Sequence, residues 1–474
     1  MITSTQKSHL LLFIINRYFN YGLLFIRGIV LAKFLGPYYF GVWGFLTLLL
    51  QYFSFSSLGI NYAITVHLST DIQFEKKDVV PSMALLTTTV VSIGIILVGV
   101  IMQSAGVSLF PRFEFDQYLI LVVLIIALSN IQQILINIYR VKKGLRKIAL
   151  IETISALILL VSALVFREGE LIKYQLIFMV LSGSISLIIL CLNLPFRIQL
   201  IVDISIIRSL FKIGLPLLIY NFFFYLITIS ARTIVNAFYS IEILGFYTLA
   251  NSIAFAVLLG FQSIGWAIYP NTLSKTSSAN DPDSVRQAIN KINLIYNTGC
   301  YLLIFIVIAV LPLLFLYLPV YRSAQPVITI LLLSQAVLSA SFGYNALAIA
   351  QGQQKKVARI SIIIVIIIVA LGVVISLLNL NYIWIALSVL FGSILYSSLQ
   401  VILGTKLLGL AKHPIHEIGS VIPISFLMAS GIVLFANTNK NSQYWYIAAL
   451  VVFFIFDYKK IFSLFHYAVA VLRK

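Results

Sequence analysis

Long apolar runs alternate with short polar joints along the whole chain. About fourteen runs are near 20 residues or longer, enough for a helix to cross a hydrocarbon core of about 30 Å. They fall at roughly 10–33, 40–65, 80–103, 117–138, 148–166, 174–195, 212–236, 243–268, 293–317, 325–350, 358–379, 381–404, 417–436 and 443–462. A membrane barrel would instead show ten-residue segments of alternating hydrophobicity. The longest joint, residues 269–292, contains Asp281-Pro282, a start signal for a short surface helix. The pattern predicts an all-α integral membrane protein with no soluble domain on either side.

Composition agrees: of 474 residues 61% are hydrophobic and 10% charged. The first run carries Arg17 and Arg27 and lacks a small-residue cleavage site, so it reads as a span and not a signal peptide. Cys191 and Cys300 fall inside predicted spans, and no metal-ligand spacing occurs, so no disulfide framework, metal or cofactor is expected.

The net charge of +18 reads as topology. With the N-terminus inside, 23 of the 32 Lys and Arg residues lie in joints on one side and six on the other, with Arg17, Arg27 and Arg232 within spans. This asymmetry predicts that both termini are cytoplasmic. The densest basic run, Tyr139–Lys147, is expected to anchor to anionic lipid, and no nucleic-acid partner is expected.

One stretch occurs twice. A shift of 205 residues aligns Asn16 with Asn221, Phe19 with Phe224, Arg27 with Arg232 and Val30 with Val235. After a one-residue gap Gly41 meets Gly245 and Trp43 meets Tyr247. Further on, Ser57-Leu58-Gly59 matches Ser263-Ile264-Gly265 and Leu68-Ser69 matches Leu273-Ser274. Six predicted spans separate the copies, an even number that preserves orientation. The repeats are therefore parallel, related by a pseudo-twofold axis along the membrane normal, an arrangement of transporters with a site between halves.

The stretch Arg27-Gly28-Ile29-Val30-Leu31-Ala32-Lys33-Phe34-Leu35-Gly36-Pro37-Tyr38-Tyr39-Phe40-Gly41-Val42-Trp43, followed by Leu58-Gly59-Ile60, resembles the opening of the Wzx-type polysaccharide flippases. Their superfamily also contains the MATE exporters and the lipid II flippase. Phe211-Lys212-Ile213-Gly214-Leu215-Pro216 and Leu244-Gly245-Phe246-Tyr247 are similar to that family's second half. The resemblance implies two six-helix lobes, residues 1–205 and 206–411, around a central cavity, with 412–474 as two additional helices. It implies export of an undecaprenyl-diphosphate-linked oligosaccharide across a bacterial inner membrane for O-antigen, capsule or a similar polymer. Membrane lipids, a polysaccharide polymerase and a chain-length regulator are the implied partners of a monomeric protein.

An Arg within an apolar span costs roughly 2.5–3.5 kcal/mol, so Arg27 and Arg232 need a reason. Each follows an Asn by eleven residues, about three helical turns, so Asn16 and Asn20 share a face with Arg27, and Asn221 shares one with Arg232. Arg17 lies on an adjacent face. These six residues are the candidate substrate-binding set: a guanidinium stays charged and forks onto two oxygens, as a diphosphate requires. Three other readings stay open: snorkelling to headgroups, pairing of Arg232 with Glu242, and packing of amides between helices. None of the fourteen acids falls near a predicted midplane, and Glu152, Glu417 and Asp457 sit close to span ends. A cation-coupled drug exporter would usually keep a carboxylate there. No nucleophile triad, carboxylate pair or phosphate loop is visible, so no enzyme is expected. A membrane polysaccharide polymerase is the enzyme alternative, but such proteins usually carry a sizeable external loop, and here those loops are short. Gly214-Leu215-Pro216 is a candidate hinge.

Overall fold

A computed structural model describes residues 4–69, 78–142, 144–166, 170–199, 202–257, 282–409, 414–439 and 442–472. By contacts the chain divides into two compact units, residues 1–222 and 223–474, with the division inside one helix.

The first unit holds α1 (Ser4–Phe53), α2 (Ile60–Ser69), α3 (Val79–Ser104), α4 (Leu119–Val141), α5 (Leu145–Val165), α6 (Leu171–Cys191) and the start of α7 (Ile204–Phe238). Its first two expected spans begin as two helices within α1, parted by a kink at Gly36, where φ is 65° just before Pro37. The second expected span is itself broken between α1 and α2, at Leu58 and Gly59, both with positive φ. The backbones of Gly59 and Gly214 touch here: a Cβ on Gly59 would lie 2.4 Å from the Gly214 carbonyl oxygen, and one on Gly214 equally close to that of Gly59. Only residues without side chains permit such an approach. The residues read as a hinge thus form a crossing point.

Packing fixes the two ends of this unit. At one, Ile60, Met83, Ile134, Ile148 and Leu210 join in a buried cluster. Beside it the basic run turns inward: Lys147 donates to the Tyr139 hydroxyl at 2.7 Å and to the Leu192 carbonyl, and Tyr139 donates to the Leu190 carbonyl at 2.8 Å. Lys142 donates to the Pro195 carbonyl at 2.7 Å. These lysines cap the carbonyl end of α6, where a cation is favoured by the helix dipole. At the other end Phe45 stacks on Phe113 at 4.1 Å and meets Phe110 and Phe115 edge-on.

The second unit holds the rest of α7, then α8 (Ile241–Val257), α9 (Pro282–Tyr317), α10 (Gln325–Ala340), α11 (Phe342–Ala350), α12 (Gln354–Leu377), α13 (Ile383–Leu407), α14 (Pro414–Val421), α15 (Ile424–Ala436) and α16 (Ser442–Leu472). The C-terminal helices are part of its body. Tyr301 of α9 donates to the Val421 carbonyl at 2.7 Å and its ring lies 4.3 Å from that of Phe426. Phe305 of α9 meets Phe453 of α16 at 5.1 Å. Helix α9 begins at Pro282; Asp281 lies outside the described residues.

Apart from breaks within them and a few residues at their ends, the expected spans fall on helices wherever they are described, and no strand occurs among the described residues. Ten helices among the described residues are long and apolar enough to cross a membrane, and α14–α15, bent by 59°, pass the same test only when taken together as one span. Breaks mark several of these helices: Gly36 kinks α1 between its two expected spans, Ser341 divides α10 from α11, and α16 is interrupted at Asp457. The expected span 243–268 is described only as far as residue 257.

Candidate functional site

The polar residues of α1 are seated by α5 and α6. Asn16 donates to the Ala149 carbonyl at 3.1 Å and accepts from Thr153 at 2.9 Å. Arg17 forms an ion pair with Glu152 at 3.3 Å, so its guanidinium is held within the unit, and snorkelling is not needed to account for it. Arg27 donates through Nε to Gln175 Oε1 at 2.9 Å. Gln175 is fully buried and donates to Ser162, which donates in turn to the Leu159 carbonyl, both at 2.9 Å. The guanidinium also lies over the Trp43 ring, 5.3 Å from its centroid. Arg27 is therefore clamped at one edge and on one face.

Two donors remain along this helix. Arg27 Nη2 is buried with no hydrogen-bond partner among the described residues, and so are both amide atoms of Asn20. An unmatched buried polar atom marks a place for water or a ligand. Seven residues separate the two, roughly 10 Å along the axis at 1.5 Å per residue.

In the second unit Arg232 is 2% exposed and among the largest fully buried side chains, while Glu242 is exposed. Tyr225 and Tyr247 lie within its electrostatic reach. In the repeat, Trp43 lies under the Arg27 guanidinium, and the aligned Tyr247 is within the electrostatic reach of Arg232. The two arginines differ in access, since Arg27 is only half-buried. Asn221 donates to the Leu217 carbonyl one turn back on its own helix, at 2.8 Å. The matching segments Ser263-Ile264-Gly265 and Leu273-Ser274 lie outside the described residues.

Sequence reasoning missed Gln175, an isolated amide in an otherwise apolar helix. It also placed Glu417 and Asp457 at span ends without seeing their burial. Glu417 is 5% exposed and accepts from Tyr344 at 3.0 Å; Asp457 is 4% exposed and is paired with Lys460 at 2.6 Å and with the Ser425 hydroxyl. Both acids are engaged by protein groups. No cluster of metal-ligating residues occurs among the described residues.

A multi-pass helical membrane protein with this element order has the fold of a transporter class. The chain superposes on the lipid II flippase MurJ in an inward closed conformation with a TM-score of 0.71 at 15% identity, covering 97% of this chain and 100% of that one. An inward-facing multidrug resistance MATE family transporter of the MOP superfamily gives 0.69 at 13% identity, covering 83% and 95%. A MATE protein in its straight conformation gives 0.63 at 13%, covering 86% and 97%. Among curated proteins none matches. The family is shown by sequence: the polysaccharide biosynthesis protein family model matches residues 30–295, more than half the chain, and the chain belongs to that family.

Proposed function

We propose that this protein is a flippase that moves undecaprenyl-diphosphate-linked oligosaccharide from the cytoplasmic to the outer leaflet of a bacterial inner membrane. The product feeds a surface polysaccharide, through a polymerase and a chain-length regulator. The carrying observation is the Arg27 assembly: a clamped guanidinium with Nη2 unmatched, and the unmatched Asn20 amide roughly 10 Å away along the same helix. That spacing suits a diphosphate at Arg27 and the first sugar at Asn20. Membership of the polysaccharide biosynthesis protein family supports the cargo class, and one protein sharing the fold is a lipid II flippase. Alternating access moves the head while the lipid tail stays in the bilayer.

The membrane potential can drive this step. One negative charge moving outward across an inside-negative membrane gains roughly 2.3 kcal/mol per 100 mV, and a diphosphate carries about two. In proteoliposomes loaded with polyprenyl-diphosphate oligosaccharide, imposing an inside-negative potential is expected to raise the rate at which sugar becomes accessible outside. No protein-dependent translocation at any potential would sink the proposal. The cytoplasmic placement of both termini follows from the Lys and Arg distribution. Reporter fusions at Lys147 and Arg322 should report opposite sides; the same side for both would overturn that orientation.

A further inference from the structure

A cleft of about 430 Å³ opens in the second unit, between the 3-10 turn Pro319–Ala324, the start of α10, the end of α15 and the start of α16. Small-molecule sites occupy about 300–1,000 Å³, so there is room for one or two sugar rings. Arg322, Gln325, Asn437, Asn439 and Ser442 form its polar wall, against only Pro326 and Ala436.

The wall is held in place by its own hydrogen bonds. Gln325 Nε2 donates to Ser442 at 2.8 Å and to the Tyr446 hydroxyl at 2.9 Å. Both N–H groups of that amide are thereby used, leaving its carbonyl oxygen to accept from a ligand hydroxyl. The Tyr446 hydroxyl donates to Asn437 Oδ1 at 2.6 Å, and Asn437 Nδ2 donates to Thr329 at 3.0 Å. Asn439 is tied to the Phe435 carbonyl at 3.2 Å. Groups already fixed lose little freedom on binding. Tyr444 and Trp445, beside Ser442, are exposed, as aromatics of an interfacial belt are.

Amide and hydroxyl groups presented as both donors and acceptors match a polyhydroxylated ligand. Among the described residues that line it, the one charged member is Arg322, exposed, and none is acidic. We propose that this cleft is a saccharide subsite that prefers a carboxylate-bearing sugar, with Arg322 gripping the carboxylate and Gln325 and Asn437 the ring hydroxyls. It gives the two C-terminal helices a role, since α15 and α16 build half of the wall. The choice of a sugar rests on the polysaccharide reading above; the cleft's polar, cationic chemistry does not.

The test uses the full chain in lipid nanodiscs with soluble probes: glucuronate, glucose and glycerol phosphate, each titrated by saturation-transfer NMR. Glucuronate should bind more tightly than glucose. Arg322→Ala should weaken glucuronate by about tenfold while leaving glucose nearly unchanged, and Arg322→Lys should recover part of the loss. Asn437→Ala should weaken both sugars. The Arg322 side chain is exposed, so that variant reads out binding and not folding. Absence of sugar binding, or binding untouched by both Arg322→Ala and Asn437→Ala, overturns the proposal. So does preference for glycerol phosphate, which would make the cleft a lipid-headgroup site. No transport is measured, so failure here leaves the export reading standing, and failed export with intact sugar binding counts against that reading alone.

Discussion

Arg27→Ala is expected to lower export of lipid-linked repeat units by roughly ten- to a hundredfold at unchanged protein level. A hydrogen bond to a charged group contributes about 1.5–3 kcal/mol, and each 1.4 kcal/mol is tenfold. The substitution removes the unmatched Nη2 donor, the charge over Trp43 and the bond to Gln175 together. Two companions separate ligand binding from architecture. Arg27→Lys keeps a charge but loses the fork and the Nε bond, so it should export at an intermediate rate. Gln175→Leu keeps the guanidinium but frees it from α6 and leaves Ser162 without its donor, so it should lower both export and thermal stability. The readout is surface polymer in a host that depends on this gene, with membrane protein quantified in parallel. Normal polymer from Arg27→Ala would remove Arg27 from the binding set. Equal losses of folded protein in all three variants would make the residue structural.

Much of this was legible in the chain. The spans were visible because only helices satisfy every backbone group in hydrocarbon, so apolar length alone reports them. Arg27 and Arg232 were visible because a charge in an apolar run is rare and costly. Their surroundings were not. In a membrane the packed interior is as apolar as the lipid-facing surface, so hydrophobic patterning does not say which face meets which neighbour. Gln175 is 148 residues from Arg27, and nothing in its own helix points back to α1. The hydrogen bonds of Lys147 to Tyr139 and to the Leu192 carbonyl were hidden for a related reason: nothing in a basic residue at a span end points to the carbonyls of a neighbouring helix. The repeat carried further than single residues did. It aligns Trp43, whose ring lies under the Arg27 guanidinium, with Tyr247, which is within the electrostatic reach of Arg232.

The crossing of Gly59 and Gly214 leads to the largest expected effect on folding. A Cβ at either position would sit 2.4 Å from the carbonyl oxygen of the other, and the obstacle is backbone in both cases. No rotamer change relieves it, so α2 and α7 must separate at a contact where interiors normally close to crystal-like density. Overpacking of this kind costs typically 1–3 kcal/mol, occasionally more. At Gly59 a second cost adds: φ is +83°, and an L-residue loses roughly 1–2 kcal/mol in the left-handed region. At Gly214 the backbone lies within α7, where Ala is intrinsically favoured over Gly by about 1 kcal/mol. Any loss from Gly214→Ala therefore reports the contact alone. Gly36 supplies the complementary control, since its φ is +65° but nothing lies within 4 Å of a Cβ there. Thermal midpoints of the purified variants should fall furthest for Gly59→Ala, with Gly214→Ala also clearly destabilised. Gly36→Ala should lose only what its backbone angle demands. A Gly214→Ala protein as stable as the parent would mean that α2 and α7 do not meet at these two residues, and the close crossing within the first unit would have to be abandoned.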